Sequence, residues 1–405
     1  MLRFKSMAIN KVFEIIEREI ARQSSSISLI ASENITSKDV RIANASVFTN
    51  KYAEGYPNAR YYSGCQLADE VESLCIDLVK EIFDCKWANV QPHSGSQANT
   101  AVYFGLLNPG DTILSLSLES GGHLTHGAKV SSSSTFYKIV HYSVDENGII
   151  DMNSVAELAK IHQPKLIITG ASAYPRNWDW KAFQTIAKSC NAYLLADIAH
   201  IAGLIAGKAM ENPMPYVDIM TSTTHKTLRG PRGGIIMSNN EEIGKLIDRA
   251  IFPGTQGGPI VNTIAAKAIG FSENLTPEFQ QYSKNVIENA QILAREILSA
   301  GGKLTTNGTD NHLMILDCKT FDMDAKQAEK LLLEANVLTS ISALIGESWR
   351  TPTGIRLGTP YITTLGLSDI TDFAKLFVET LKTQNPAKLK DYVITTAKNL
   401  YPSFL

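Results

Sequence analysis

Lys226 stands in Thr221-Ser222-Thr223-Thr224-His225-Lys226-Thr227-Leu228-Arg229-Gly230-Pro231-Arg232-Gly233-Gly234, a stretch that crowds hydroxyls, a histidine, a lysine and two arginines against a glycine-rich end. The runs Val217-Asp218-Ile219-Met220 before it and Gly233-Gly234-Ile235-Ile236-Met237 after it read as buried strands. A lysine held between two core strands loses solvation. Its pKa falls, and the neutral amine becomes nucleophilic enough to form a Schiff base with an aldehyde. Most lysines sit on solvated loops and do no chemistry, so the neighbouring residues must decide between the two readings.

Gln91-Pro92-His93-Ser94-Gly95-Ser96-Gln97-Ala98-Asn99 leads from a short strand, Trp87 to Val90, into a helix ending near Leu107. A Ser-Gly-Ser turn at a helix start offers unpaired N–H groups, hydroxyls and the positive end of the dipole, which suit a phosphate as well as an ordinary cap. The glycine lets the backbone approach closely. Gly121-Gly122-His123-Leu124-Thr125-His126-Gly127 follows the strand Asp111 to Leu116. His123 and His126 have ligand spacing, but no third ligand stands at sensible distance in sequence, so no metal is expected. His123 is placed instead to stack on a planar ligand. Asp197 ends the apolar run from Ala192, with His200 just beyond it, and Ser172 follows the run Pro164 to Thr169. Arg356, in Thr353-Gly354-Ile355-Arg356-Leu357-Gly358, has a strand-like setting that fits a carboxylate clamp. Two irregular stretches, Ser28 to Asn34 and the tyrosine-rich Thr49 to Gly64, have the composition of functional loops.

The elements that must position these groups are α/β. Continuous apolar strands separated by helices, such as Trp180 to Cys190 between the runs ending at Thr169 and Asp197, predict a mostly parallel sheet with ligands at the strands' carboxyl ends. Lys11 to Arg22 reads as an amphipathic helix with Val12, Ile15, Ile16 and Ile20 on one side, and Pro277 to Ala300 as a long helix joining two lobes. Beyond Gly301 short strands alternate with helices; Ser131 to Ser134 reads as a polar loop. With 38 basic against 40 acidic residues there is no charge excess to attract nucleic acid or a membrane surface. The five cysteines form no CxxC pair, which points to reduced thiols and a cytoplasmic enzyme without a membrane span.

A phosphate cradle, a ring-stacking histidine, an aspartate, a buried lysine and a carboxylate-binding arginine together describe a pyridoxal phosphate enzyme acting on an amino acid. From about Leu29 to Pro360 the chain resembles serine hydroxymethyltransferase. The resemblance is carried by Lys51-Tyr52-Ala53-Glu54-Gly55-Tyr56-Pro57, Pro92 to Asn99, Gly121 to Gly127 and Thr224-His225-Lys226-Thr227-Leu228. It implies a fold-type I transferase: an N-terminal helix and arm (1–48), a large α/β domain with a mostly parallel seven-stranded sheet (49–276) and a small C-terminal α+β domain (277–405). It implies that Lys226 carries the cofactor, Asp197 pairs with the pyridine nitrogen and His123 stacks on the ring. Ser94, Gly95 and Ser96 would bind phosphate, Arg232 would belong to the cofactor site, and Ser172 and His200 would hold the 3-oxygen. Tyr52 and Gly258 would complete the phosphate site from the partner subunit of a homodimer with shared active sites, and Glu54 would be the acid-base group across that interface, acting with Lys226 and His225. Ser32, Tyr62 and Arg356 would orient the carboxylate of serine or glycine. Leu118, Gly122 and Leu124 would help form a pocket for tetrahydrofolate, the co-substrate of this one-carbon transfer.

The chain departs from the family's pattern at Ser342, where an asparagine usually hydrogen-bonds the pterin, and at Leu365, where an arginine is usual. Ser28 and Gln66 stand where acids are usual, and Asn262 replaces a histidine. Two other readings are therefore kept: a folate-independent aldolase or transaldolase acting on a β-hydroxy amino acid with an aldehyde acceptor, and a scaffold without activity, which the presence of Lys226, Asp197, Glu54 and Arg356 disfavours.

Overall fold

A computed structural model describes residues 2–348 and 350–404, with side chains from residue 9 onward. Its centre is a seven-stranded sheet of β1 (Trp87–Asn89), β2 (Thr112–Leu116), β3 (Lys138–Tyr142), β4 (Leu166–Thr169), β5 (Tyr193–Asp197), β6 (Ile219–Thr223) and β7 (Gly234–Ser238), ordered β1-β7-β6-β5-β4-β2-β3. β7 runs antiparallel to both neighbours, and the remaining pairs are parallel. β4, β6 and β7 are buried at every residue, because each face of the sheet is covered. Ile113, Ile168, Leu195, Ile219 and Ile236 pack into one core. Their chain neighbours Leu114, Ile167, Leu194, Met220 and Ile235 pack into the core on the other side, as the two-residue period of a strand requires.

A four-stranded antiparallel sheet lies towards the C-terminus: β8 (Lys303–Leu304), β9 (Leu313–Asp317), β10 (Ser340–Ser342) and β11 (Gly354–Gly358), ordered β8-β9-β11-β10. The Pro277–Ser299 helix joins the two halves physically. Phe279 and Val286 belong to the core of the large sheet, whereas Ala290, Leu293 and Ile297 belong to the C-terminal core. The N-terminal arm enters this second layer too, since Ile27–Ser28 pairs in parallel with Val337–Leu338.

Two local differences from the sequence reading have physical causes. The strand before Lys226 runs later than expected, over Ile219–Thr223, because Thr221 places its hydroxyl on Asn99 Oδ1 at 2.6 Å and so satisfies a polar side chain inside the sheet. Ser131 to Ser134 is not a loop: Ser132–Phe136 is a short helix, whose Ser134 hydroxyl donates to the carbonyls of Gly127 and Ala128 at 2.7 and 3.0 Å. The Leu2–Gln23 helix leaves Val12, Ile15, Ile16 and Ile20 exposed in the single chain. Among the described residues no helix is long and apolar enough to cross a membrane.

Candidate active site

With β7 alone reversed, the carboxyl ends of β1, β2, β4, β5 and β6 share one edge of the sheet, and the loops leaving them meet in a cavity of about 430 Å³. Ser94, Gly95 and Ser96 arrive after β1, His123 after β2, Ser172 after β4, Asp197 and His200 from β5, and His225 and Lys226 after β6. Ser32, Arg232 and Arg356 close the lining.

Lys226 lies three residues beyond β6 and is 9 % exposed. Burial lowers its pKa to about 8, against the attraction of Asp197 and with help from the charges of Arg356 and Arg232. No described residue hydrogen-bonds or ion-pairs with its ammonium. The loop that carries it is held by backbone-directed groups: Asn34 Nδ2 donates to the Lys226 carbonyl at 2.9 Å and to Tyr282 Oη at 2.8 Å, and the Thr227 hydroxyl donates to His200 O at 3.0 Å. A neutral amine needs no deprotonation step, so the rate at which the cofactor-free chain captures pyridoxal phosphate is expected to rise with pH up to about 8. It should then level off, instead of climbing towards the ordinary lysine value; stopped-flow absorbance across pH 6 to 10 reads this, and a rise that continues past pH 9 contradicts it.

Asp197 is opposed by burial, yet hydrogen bonds with His126 and from Asn99 hold its carboxyl well below the usual carboxylate range. His126 Nε2 lies 2.9 Å from Asp197 Oδ2, Asn99 Nδ2 donates to the same oxygen at 2.8 Å, and Oδ1 accepts from Ala199 N at 3.1 Å. Oδ1 thus caps the next turn and keeps a lone pair for a cationic N–H. The spacing argument against a metal needs correction at this point: the fold brings Asp197 to His123 and His126 as a third potential ligand, all donor atoms within 4.8 Å. Sequence spacing misses it because the aspartate arrives on a different strand. Both His126 ring nitrogens are engaged, by Asp197 and by the His123 amide.

The Ser94 hydroxyl caps its own helix by accepting from Gln97 N at 3.2 Å, and a Cβ at Gly95 would meet Thr223 Cγ2 at 2.6 Å, so only glycine fits the turn. Burial lowers the His123 pKa to about 4 and that of His225 to about 3, the latter assisted by Arg232 and Lys226. His200 is pushed down by burial in the same way, and its ring stacks on that of His312 with 3.2 Å between ring nitrogens. Arg356 is desolvated, its pKa lowered to about 10. It donates to Ser172 O at 2.7 Å, while its buried Nε has no partner among the described residues.

Leu118, Gly122 and Leu124 line a second cavity of about 350 Å³ with Tyr174, Ile341 and Ser342, and Ser172 is shared by both cavities. Leu365 lines neither. It is 2 % exposed within the C-terminal core. Ser28 donates to Glu33 at 2.7 Å and Asn262 to Asn44 O at 2.7 Å, so these departures are satisfied locally. Tyr52, Glu54, Tyr62 and Gly258 do not reach the first cavity of their own chain. They gather elsewhere: Tyr52 packs edge-on to Tyr62 at 5.1 Å, a Cβ at Gly258 would lie 3.3 Å from the Tyr52 ring, and Tyr52 and Tyr62 are 57 % and 47 % exposed. Asn34, Asn99 and His312 are site residues to which sequence reasoning gave no role; Asn34 and Asn99 left a trace, as parts of the Ser28 to Asn34 stretch and the Pro92 to Asn99 motif, and His312 left none.

The residues fit pyridoxal phosphate: a glycine-only turn for an anion, a carboxylate kept ionised for a ring nitrogen, a buried amine for an aldehyde and an unpaired guanidinium donor for an amino acid. The sequence model of the family described as serine hydroxymethyltransferase matches residues 6–378. The serine hydroxymethyltransferase of Coprothermobacter proteolyticus is 53 % identical over 362 residues, covering 89 % of this chain and 87 % of that protein. That of Orientia tsutsugamushi is 49 % identical over 405 residues, covering 98 % and 95 %, and that of Crocosphaera subtropica 49 % over 395 residues, covering 96 % and 92 %. Fold, site and kinship agree, and the chain belongs to the serine hydroxymethyltransferase family of fold-type I pyridoxal phosphate enzymes.

Proposed function

We propose that this chain interconverts serine and glycine, with pyridoxal phosphate in the larger cavity and tetrahydrofolate accepting the one-carbon unit in the smaller. The observation that carries the reading is the meeting of unpaired buried Lys226, ionised Asp197 and the free Nε donor of Arg356 in one cavity. Lys226 would hold the cofactor's aldehyde carbon, Asp197 its ring nitrogen, His123 its face and Ser94, Gly95 and Ser96 its phosphate, with Ser172, His200 and Arg232 around the ring. Pyridoxal phosphate, when bound, supplies a protonated ring that draws off the electron pair of the broken Cα–Cβ bond. Arg356, with Ser32 from the same chain and Tyr62 lent by the other subunit, fixes the substrate carboxylate and so points the Cα–Cβ bond away from the clamp. Lys226, returned to the neutral amine, takes up and delivers the proton at Cα.

Glu54 exchanges a proton with the serine hydroxyl. It does so from the other subunit of a homodimer, to which each chain also lends Tyr52 and Gly258; the cluster of these residues away from their own cavity and the bare apolar stripe on the N-terminal helix support this.

Folate use rests on the second cavity, which adjoins the first at Ser172. Ser342 lines it with a shorter side chain than asparagine, and that favours keeping the aldolase reading as the alternative. Glycine formation from serine, measured with and without tetrahydrofolate, separates them. Strong acceleration by folate is expected; equal rates, with β-hydroxy amino acids such as threonine cleaved as well, would replace the transferase reading by the aldolase.

A further inference from the structure

A second buried lysine lies beneath the Ser94–Ser96 turn. Lys267, on the Val261–Asn274 helix, is 2 % exposed, and its ammonium donates to Val90 O at 2.6 Å, Gly234 O at 2.9 Å and Pro92 O at 3.1 Å. Three N–H donors meet three carbonyls, the full capacity of an ammonium. Val90 and Pro92 lie between the end of β1 and Ser94. Gly234 opens β7 directly against the turn, since a Cβ on it would stand 2.4 Å from Ser94 O and 3.1 Å from Gly95 N. Pro92 O also accepts from Gly234 N at 2.9 Å. The ammonium therefore ties the exit of one strand to the entry of its neighbour where the turn begins.

No carboxylate of a described residue lies within ion-pair distance of this cation. Glu72, in the same buried region, is taken by Arg60 at 2.6 Å and by Gln91 at 2.7 Å. A desolvated cation without a paired anion is costly, and its place behind an anion-binding turn offers a compensating partner. Elsewhere along the same helix the contacts serve the other end of the site: Asn274 Nδ2 donates to Leu228 O at 3.1 Å, and Gly270 packs on Gly230.

We propose that Lys267 is a positioning residue for the phosphate cradle, setting the Ser94–Ser96 turn against β7 and placing buried positive charge behind it, so that the site selects a phosphorylated cofactor over its unphosphorylated form. This rests on the reading that the turn holds phosphate, and the experiment separates the two. The cofactor-free full-length chain is titrated with pyridoxal phosphate and with pyridoxal, by absorbance and protein fluorescence, in the wild type, Lys267→Met and Asn274→Ala. A wild type that binds both equally refutes the reading of the turn. Given a wild-type preference for the phosphorylated form, Lys267→Met is expected to lose about 10- to 100-fold of that preference, as for loss of a charged hydrogen-bonding group. Asn274→Ala is expected to weaken both ligands alike. Inorganic phosphate should compete with pyridoxal phosphate less well in Lys267→Met. If that variant does not fold, Lys267→Gln, which retains two donors, takes its place; an unchanged preference in the folded variant overturns the proposal.

Discussion

Lys226→Ala is expected to lose about 10²- to 10⁴-fold of serine–glycine turnover, the cost of removing a positioned proton-transfer group, without loss of fold. The structure explains why the two effects separate. The Lys226 ammonium has no hydrogen-bond partner among the described residues, and burial, with the charges of Arg356 and Arg232, depresses its pKa to about 8, so truncation abandons no buried acceptor and relieves a desolvated charge. The contacts that hold the loop use the backbone, through the Lys226 carbonyl, and the Thr227 hydroxyl, and both survive the substitution. Borohydride treatment of the wild type should fix the cofactor covalently to the chain, and in the variant the cofactor should dialyse away. Melting temperatures of the cofactor-free proteins should be equal or slightly higher for the variant. Full activity in Lys226→Ala would sink the assignment of this lysine.

Arg356→Ala is expected to cost about 2–5 kcal/mol in kcat/KM for serine, roughly 30- to 5,000-fold, as for truncating one partner of a buried hydrogen-bonded charge pair. One guanidinium nitrogen is already bound to Ser172 O and the buried Nε is not. A desolvated donor left alone is unfavourable, and a substrate carboxylate would satisfy it. The loss should therefore depend on the substrate's charge. The wild type should strongly prefer serine to serine methyl ester, the variant should discriminate little, and Arg356→Lys should fall between because an ammonium lacks the planar fork. A variant that still discriminates between acid and ester as the wild type does would place the carboxylate elsewhere.

Much of this site was readable from local patterns. Ser94-Gly95-Ser96 at a helix start is a local arrangement, fixed by a strand, a turn and the first amides of a helix, so residue types along nine positions suffice. Asp197, Ser172 and Arg356 were marked by their places at or on apolar runs, since a polar residue at the end of a buried strand needs a reason. Polar residues inside β6 were harder to read. The apolar run before Lys226 reads as ending at Met220, since hydroxyls inside a strand look unsatisfied; Asn99, more than a hundred residues earlier, supplies the partner for Thr221. His126 shows the same limit. Its spacing from His123 suggested a metal pair lacking a third ligand, whereas the fold gives it to Asp197 as the group that keeps the carboxylate ionised.

By itself the sequence determined the kind of chemistry: a lysine between two buried strands, an anion turn, an acid and an arginine in an α/β chain whose strands are apolar throughout. These follow from periodicity and from the cost of burying polar groups, both written along the chain. Only the tertiary structure decided the pairing and the environment. It left the Lys226 amine without a partner among the described residues, gave Asp197 two donors on one oxygen, set His312 behind His200 and sent Lys267 under the phosphate turn. Each depends on contacts between residues tens to hundreds of positions apart, and charge state in a protein interior is set by what lies within a few ångströms in space, whatever the distance along the chain.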